Sequence, residues 1–111
     1  MNMSLDFYLT KIVTEEKEVL WKNITHNLTD MAEAAGIYKV LWRPNENGFI
    51  YARDAILPLE AWLHKLKSDP AKYEAYNSEN WWGLYEHFVP FVEEILAWCK
   101  EHPDATIEAS V

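Results

Sequence analysis

The spacing of the hydrophobic residues changes twice along this chain, and this change constrains the fold more than any other feature. Hydrophobic and polar residues alternate over 4–13, as from Leu5 to Leu9, and a period of two predicts a half-buried β-strand. Residues 19–25 are rich in β-branched and aromatic side chains and predict a second strand. The charged segment 14–18 between them is short, so we expect the two strands to form an antiparallel hairpin.

After residue 26 the hydrophobic residues recur every three or four positions, the spacing of amphipathic helices. The predicted helices span 27–35, 37–42, 54–67, 70–76 and 81–100. The third and the last of these are the two long ones, and we expect Asp54 to cap the former and Pro90 to kink or divide the latter. Alternation returns in 105–111 and predicts a final strand.

These elements predict an α+β fold with a small antiparallel sheet of about three strands packed against a helical layer. The N-terminal hairpin and the C-terminal strand form the sheet, and two long amphipathic helices dominate the layer. A chain of 111 residues has the length of one ordinary domain with one core, so 1–111 is interpreted as a single domain.

The formal net charge of −8 comes from 18 acidic and 10 basic residues, and it disfavours direct binding to nucleic acid or to anionic membranes. The acidity either keeps a tryptophan-rich protein soluble or serves docking on a basic partner. No apolar run approaches the roughly 20 residues of a membrane-spanning helix, and no signal-peptide pattern is recognisable. With Cys99 as the single cysteine, the sequence predicts a cytoplasmic protein without disulfides.

The segment from Asn23 through Ile24, Thr25 and His26 to Asn27 places amide, hydroxyl and imidazole groups at a predicted strand-to-helix junction. Polar side chains and free helix amides can converge there on a ligand. The alternative is that Thr25 and Asn27 only cap the helix and that His26 satisfies a buried backbone group.

Two further segments are candidates for binding. Trp81 and Trp82 are adjacent, so their rings diverge and one is hard to bury. With Tyr85 they could line an aromatic wall for a base, a sugar or a partner's side chain. Trp42 and Arg43 are the second candidate, because the Arg43 guanidinium can form bidentate hydrogen bonds with a carboxylate or phosphate. The alternative is that Arg43 pairs with a nearby glutamate of the protein itself.

Signatures of catalysis and of metal binding are missing from the sequence. The four histidines have no recognised metal spacing, and the three glycines are isolated, so there is no phosphate-binding loop. Cys99 lies on the apolar face of the predicted last helix and is interpreted as a core residue. We therefore predict no metal and no cofactor.

The chain resembles a family of short, acidic, uncharacterised proteins of bacteria and of phages or prophages. The similar pieces include Asn23 to Leu28, Leu41 to Pro44, Leu66 to Pro70, the Trp-Gly-x-Tyr-Glu-x-Phe-Val segment at 82–89 and Pro103 to Ala105. The family has no established activity. Some similar proteins carry paired cysteine motifs near the first hairpin, which this chain lacks, so the resemblance implies no metal. It implies a setting in which small proteins act by binding.

Three functions follow from these observations. The leading expectation is a non-catalytic interaction protein whose partner is a host protein, bound through Trp42, Arg43, Trp81, Trp82 and Tyr85. The alternative is capture of a small nucleotide or sugar by the 23–27 motif, with Asn23, Thr25, His26 and Asn27, and an aromatic wall. The second alternative is an enzyme with His26 as general base. The oligomeric state is not predicted.

Overall fold

The computed structural model describes residues 4–13, 16–79 and 82–111. In chain order it contains β1 (Ser4–Val13), β2 (Glu16–Thr25), a 3₁₀ turn (His26–Leu28), α1 (Thr29–Ala35), α2 (Tyr38–Trp42), a second 3₁₀ turn (Asn45–Asn47), α3 (Ala52–Ser68), α4 (Pro70–Glu74), α5 (Tyr85–Glu101) and β3 (Thr106–Ser110). The three strands form one antiparallel sheet in the order β2-β1-β3. The predicted α+β class, the three-stranded sheet and the two long helices are confirmed.

The inner face of the sheet is apolar along β1 from Leu5 to Leu9, because the alternation of β1 turns every second side chain toward the helices. Leu5, Phe7 and Leu9 are at most 1% exposed. Their cross-strand partners on the same face include Ile24 of β2 and Ile107 of β3, which are also buried. A slip of one residue would turn all of these side chains to solvent, so burial fixes the register.

The opposite face of the sheet, here called the outer face, is polar at its ends and aromatic in the middle. Tyr8 pairs with Trp21 on one side and with Glu108 on the other, so these three residues form one row across the sheet. Trp21 is 58% exposed, and Glu108 is also exposed. The outer face therefore presents a large aromatic side chain to solvent.

The helical layer closes the core from the inner side. α3 packs against α5, and fully buried side chains from both helices enter the same hydrophobic cluster as the inner face of the sheet, among them Leu59, Leu66, Phe88, Val92 and Ile95. Each such side chain stabilises the fold by about 1.5–3 kcal/mol relative to its exposed state. Among the described residues, no helix is both long enough and apolar enough to cross a bilayer.

The hairpin is longer than the hydrophobic pattern predicted. β2 begins at Glu16 rather than at residue 19, and Val13 pairs with Glu16. The ladder is made of backbone hydrogen bonds, so it continues through charged residues that carry no hydrophobic signal. Residues 14 and 15 of the predicted turn lie outside the described part of the chain.

The prediction that Asp54 caps α3 is wrong in its position. The helix begins at Ala52, so Asp54 is its third residue. Its carboxylate accepts hydrogen bonds from the backbone N–H groups of Tyr51 at 2.9 Å and Ile50 at 3.3 Å. An acidic side chain at the third helical position accepts hydrogen bonds from backbone N–H groups that precede the helix, as the N3 side chain of a capping box does.

The last helix starts later than predicted and is not divided. α5 begins at Tyr85 rather than at residue 81, because Gly83 adopts a φ of 106°, which no residue of a right-handed helix has. Pro90 lies inside α5 and is exposed, and the helix continues through it to Glu101. The carbonyl of Glu86, which loses its helical partner to the missing N–H of Pro90, belongs to an exposed residue that water can reach.

Candidate functional site

The predicted 23–27 motif lies where β2 ends and a 3₁₀ turn begins. Thr25 adopts an extended conformation, and its hydroxyl accepts a hydrogen bond from the backbone N–H of Asn27 at 3.2 Å. Thr25 is thus the cap of this turn, as the capping alternative expected. A 3₁₀ turn rotates successive side chains by about 120°, so the residues that follow Thr25 point to different sides of the chain.

On one side lies a cleft of about 430 Å³, here called the Asn23 cleft. It is lined by Ser4, Asn23, Ile24, Thr25, Leu28, Trp82, Gly83 and His87. The β1–β2 register explains part of this set, because Ser4 pairs with Thr25 and Asp6 pairs with Asn23. The cleft thus joins the end of the hairpin to the segment that precedes α5 and to the first turn of that helix.

Hydrogen bonds orient the Asn23 side chain at the cleft. Its amide nitrogen donates to the Asp6 carboxylate at 2.7 Å and to the Ser4 hydroxyl at 2.8 Å. Both N–H bonds are thereby used, and the carbonyl oxygen is the acceptor that Asn23 can offer to a ligand. Thr25 and Ser4 add hydroxyl groups to the same wall.

Asn27 positions the aromatic part of the cleft. Its side-chain amide donates to the backbone carbonyl of Trp82 at 2.8 Å, and the Trp82 side chain is 66% exposed. A Cβ atom on Gly83 would lie 2.8 Å from the Cβ of Asn27, so only glycine permits this approach of the two segments. Asn27 therefore acts on the cleft by holding the backbone that carries Trp82.

His26 lies on the other side of the turn. Its Nδ1 accepts a hydrogen bond from the indole Nε1–H of Trp42 at 2.8 Å. Because an indole N–H can only donate, Nδ1 must carry the lone pair, and neutral His26 has its proton on Nε2. Neither ring nitrogen then has a free lone pair with which to abstract a proton. The hypothesis that His26 is a general base receives no support from this geometry.

Trp42 is a core residue rather than a binding surface. It is 2% exposed and stacks on Tyr38 at 5.6 Å between ring centroids. Arg43 next to it is exposed, lies 3.9 Å from the Glu46 carboxylate and has its pKa raised by a hydrogen bond with Tyr38. Arg43 and His26 border a hollow of about 470 Å³ that shares none of its lining with the Asn23 cleft.

Tyr85 donates hydrogen bonds to two other segments of the chain, one from its backbone N–H and one from its hydroxyl group. Its backbone N–H donates to the Asn77 side chain at 2.7 Å, and its hydroxyl donates to the Leu66 carbonyl at 3.0 Å. Desolvation by burial raises the pKa of this half-buried phenol. Tyr85 is not part of the lining of the cleft, so among the described residues Trp82 supplies the aromatic wall there. Trp81 lies outside the described residues.

The structure thus divides the predicted site residues into two groups. Asn23, Thr25 and Trp82 line one cleft, and Asn27 holds its loop in place. His26, Trp42 and Arg43 border the other hollow. Two polar lining residues, Ser4 and His87, were not predicted for this site. The hairpin register could have indicated Ser4, since it pairs with Thr25, whereas no local signal indicates that His87 on α5 reaches the cleft.

Two kinds of chemistry find no support among the described residues. No group of three His, Cys, Asp or Glu side chains is arranged to hold a metal ion. The Cys99 thiol is fully buried, and burial raises its pKa to about 12, so it stays protonated and unreactive at neutral pH.

Comparisons with known proteins add no family to this description. No family model matches the chain, and no curated protein or solved structure matches it significantly. The resemblance to small bacterial and phage proteins stays a prediction.

Proposed function

We propose that this protein is a non-catalytic binding protein and that the Asn23 cleft takes a small uncharged ring compound, a sugar or a nucleoside. The observation that carries the proposal is the composition of this one cleft. The exposed indole of Trp82 shares it with the amide of Asn23 and the hydroxyls of Ser4 and Thr25. An aromatic face combined with a few placed polar groups is the usual make-up of a site for small molecules.

The size of the cleft supports a ligand with one ring system. Ligand sites of proteins enclose about 300–1,000 Å³, and this cleft of about 430 Å³ lies near the lower end of that range. Trp82 can stack on the flat face of a base or on the apolar face of a sugar. Asn23, Thr25 and Ser4 then accept or donate hydrogen bonds at the edge of the ring.

The charge of the cleft favours an uncharged ligand over a phosphorylated one. Its described lining contains neither lysine nor arginine, and the Asp6 carboxylate is bonded to Asn23 at its border. Phosphate sites in proteins use arginine, lysine or helix amides to balance the charge. At the start of α5, the backbone N–H groups of Tyr85 and His87 already donate to acceptors within the protein. Of the ligand classes that the sequence suggested, sugars and nucleosides therefore fit better than nucleotides.

Isothermal titration calorimetry with a panel of monosaccharides, nucleosides and nucleoside monophosphates tests this proposal. We expect binding of a neutral compound and a weaker response to its phosphorylated form. Trp82→Ala should lose about 5- to 150-fold in affinity, since stacking on an aromatic side chain is worth about 1–3 kcal/mol. Asn23→Ala should lose affinity as well.

Trp21→Ala is the matched control, because Trp21 is almost as exposed as Trp82, 58% against 66%, and lies outside the cleft lining. It should bind like the wild type. No heat of binding across the panel, or equal losses in the two tryptophan variants, would refute the proposal.

A host protein as partner is the second candidate. The predicted face of Trp42, Arg43, Trp81, Trp82 and Tyr85 supplies little support, because Trp42 is buried and Tyr85 is half-buried. The exposed outer face of the sheet supports a protein partner better. Residence in the cytoplasm belongs to the same proposal and is supported by the free, buried thiol of Cys99, which suits a reducing compartment.

A further inference from the structure

The outer face of the sheet exposes an aromatic surface to solvent. Trp21 is 58% and Val19 46% exposed, and both lie on the edge strand β2, whose one neighbour is β1. Tyr8 stands directly opposite Trp21, so the two rings belong to one continuous patch. Side chains of neighbouring strands in this arrangement are about 5 Å apart at Cβ.

The charged groups among the described side chains of this face are acidic. Glu108 pairs with Tyr8 on the side opposite to Trp21. Asp6 lies on the same face of β1, two residues before Tyr8. Lys22 is the cation among the described side chains of β2, and it is turned to the inner side, where it pairs with Glu94 and lies 5.7 Å from the centroid of the Phe91 ring. The patch therefore combines aromatic rings with carboxylates.

The protein holds one of its own arginines with the same combination of groups. Tyr51 pairs with Thr106 at the far edge of β3, and the guanidinium of Arg53 lies 4.3 Å from the centroid of the Tyr51 ring. Arg53 also binds the Asp104 carboxylate at 2.7 Å. One aromatic ring and one carboxylate thus flank a guanidinium at the surface of this molecule.

We propose that the outer face docks an arginine-containing segment of a partner protein, with a guanidinium stacked on Trp21 and Tyr8 and drawn to Glu108. Charge complementarity selects this partner, because the charged groups among the described side chains of the face, Asp6 and Glu108, are acidic and the whole chain carries a charge of −8. A second copy of the chain would bring carboxylates against carboxylates. A planar guanidinium stacks on aromatic rings better than an ammonium does, so arginine is favoured over lysine.

Fluorescence anisotropy with a labelled peptide of alternating arginine and glycine, at low ionic strength, tests the proposal. We expect binding that Trp21→Ala weakens by about two- to fivefold, the loss of an exposed cation–π contact. Glu108→Gln should also weaken binding and make it less sensitive to salt. The alternating lysine and glycine peptide should bind less tightly than its arginine counterpart.

Two controls separate docking from general attraction to an acidic protein. Glu74→Gln removes the same charge from an exposed position on α4 and should leave peptide affinity unchanged. Trp82→Ala should also bind the peptide normally, so that failure here and failure of the ligand proposal for the Asn23 cleft are distinguishable. Two results would show that the peptide is held only by general charge attraction and would overturn the proposal. One is an equal loss of peptide affinity in Glu108→Gln and Glu74→Gln, and the other is an unchanged peptide affinity in Trp21→Ala.

A single-stranded oligonucleotide is the competing occupant of an aromatic sheet face. Asp6 and Glu108 should repel its phosphates, and we expect no binding. If an oligonucleotide binds and Trp21→Ala abolishes this binding, the assignment of a basic protein partner is overturned.

Discussion

His26 and Asn27 are neighbours in the chain, but their side chains stabilise different parts of the molecule. The His26 ring accepts from the buried indole of Trp42, and the Asn27 amide donates to the backbone of Trp82. The 3₁₀ turn that contains both residues causes this divergence, because it moves each side chain about a third of a turn from the previous one. A motif that is contiguous in sequence is therefore divided between two sites.

Replacing His26 tests the structural role of its ring. In His26→Ala the Trp42 N–H, which belongs to a residue only 2% exposed, loses its acceptor. A buried donor left without a partner costs about 1–3 kcal/mol, so the free energy of unfolding in urea should fall by that amount. NMR of the ¹⁵N-labelled histidine ring should show that neutral His26 carries its proton on Nε2.

The matched variant is His64→Ala on the exposed side of α3. His64 is exposed, and an exposed substitution of this kind stays within about 0.5 kcal/mol of the wild type. Similar stability of the two variants would contradict the role assigned to His26, as would a ring protonated on Nδ1.

At the scale of elements and their connections, the segment from Trp82 to Leu84 before α5 contributes Trp82 and Gly83 to the lining of the cleft. Gly83→Ala should destabilise the protein for two reasons. The residue adopts a φ of 106°, and a left-handed conformation costs a side chain about 1–2 kcal/mol. The new methyl group would also lie 2.8 Å from the Asn27 Cβ, and such overpacking adds about 1–3 kcal/mol.

Gly48→Ala separates these two causes. Gly48 has a φ of 83°, but a Cβ atom there would meet nothing within 4 Å. Denaturant unfolding of both variants should therefore show the larger loss for Gly83→Ala, by about the overpacking energy. If the two losses are equal, the close approach of Gly83 to Asn27 does not shape the cleft.

The elements themselves were readable from the sequence wherever burial imposes a period. Alternation in β1 and the three- or four-residue spacing in α3 both reflect one buried face, as Phe7 and Leu59 illustrate. Element ends were missed where the backbone decides, through ladder hydrogen bonds at Glu16 and through the positive φ of Gly83 before Tyr85. Because the cleft joins β2 to a segment over fifty positions away, as in the bond from Asn27 to Trp82, no local pattern could predict it.

For the whole molecule, the net charge of −8 is a long-range property that individual ion pairs do not cancel. The surface pairs, such as Lys100 with Glu60 and Lys67 with Glu93, join exposed side chains and are worth about 0–1 kcal/mol each. Excess negative charge in a compact globule is self-repelling and destabilises the folded state. We therefore expect added salt to stabilise the wild-type protein.

Two exposed positions allow this repulsion to be changed in opposite directions. Glu74→Gln changes the charge from −8 to −7, and Lys39→Gln changes it from −8 to −9. At low ionic strength the first variant should unfold at higher urea concentration than the wild type and the second at lower. The differences should be a few tenths of a kcal/mol, since both are surface substitutions.

At an ionic strength of about 1 M the Debye length is about 3 Å, and both differences in the free energy of unfolding should vanish. Differences that persist in high salt would mean that local contacts of Glu74 and Lys39, rather than the charge of the whole molecule, set its stability.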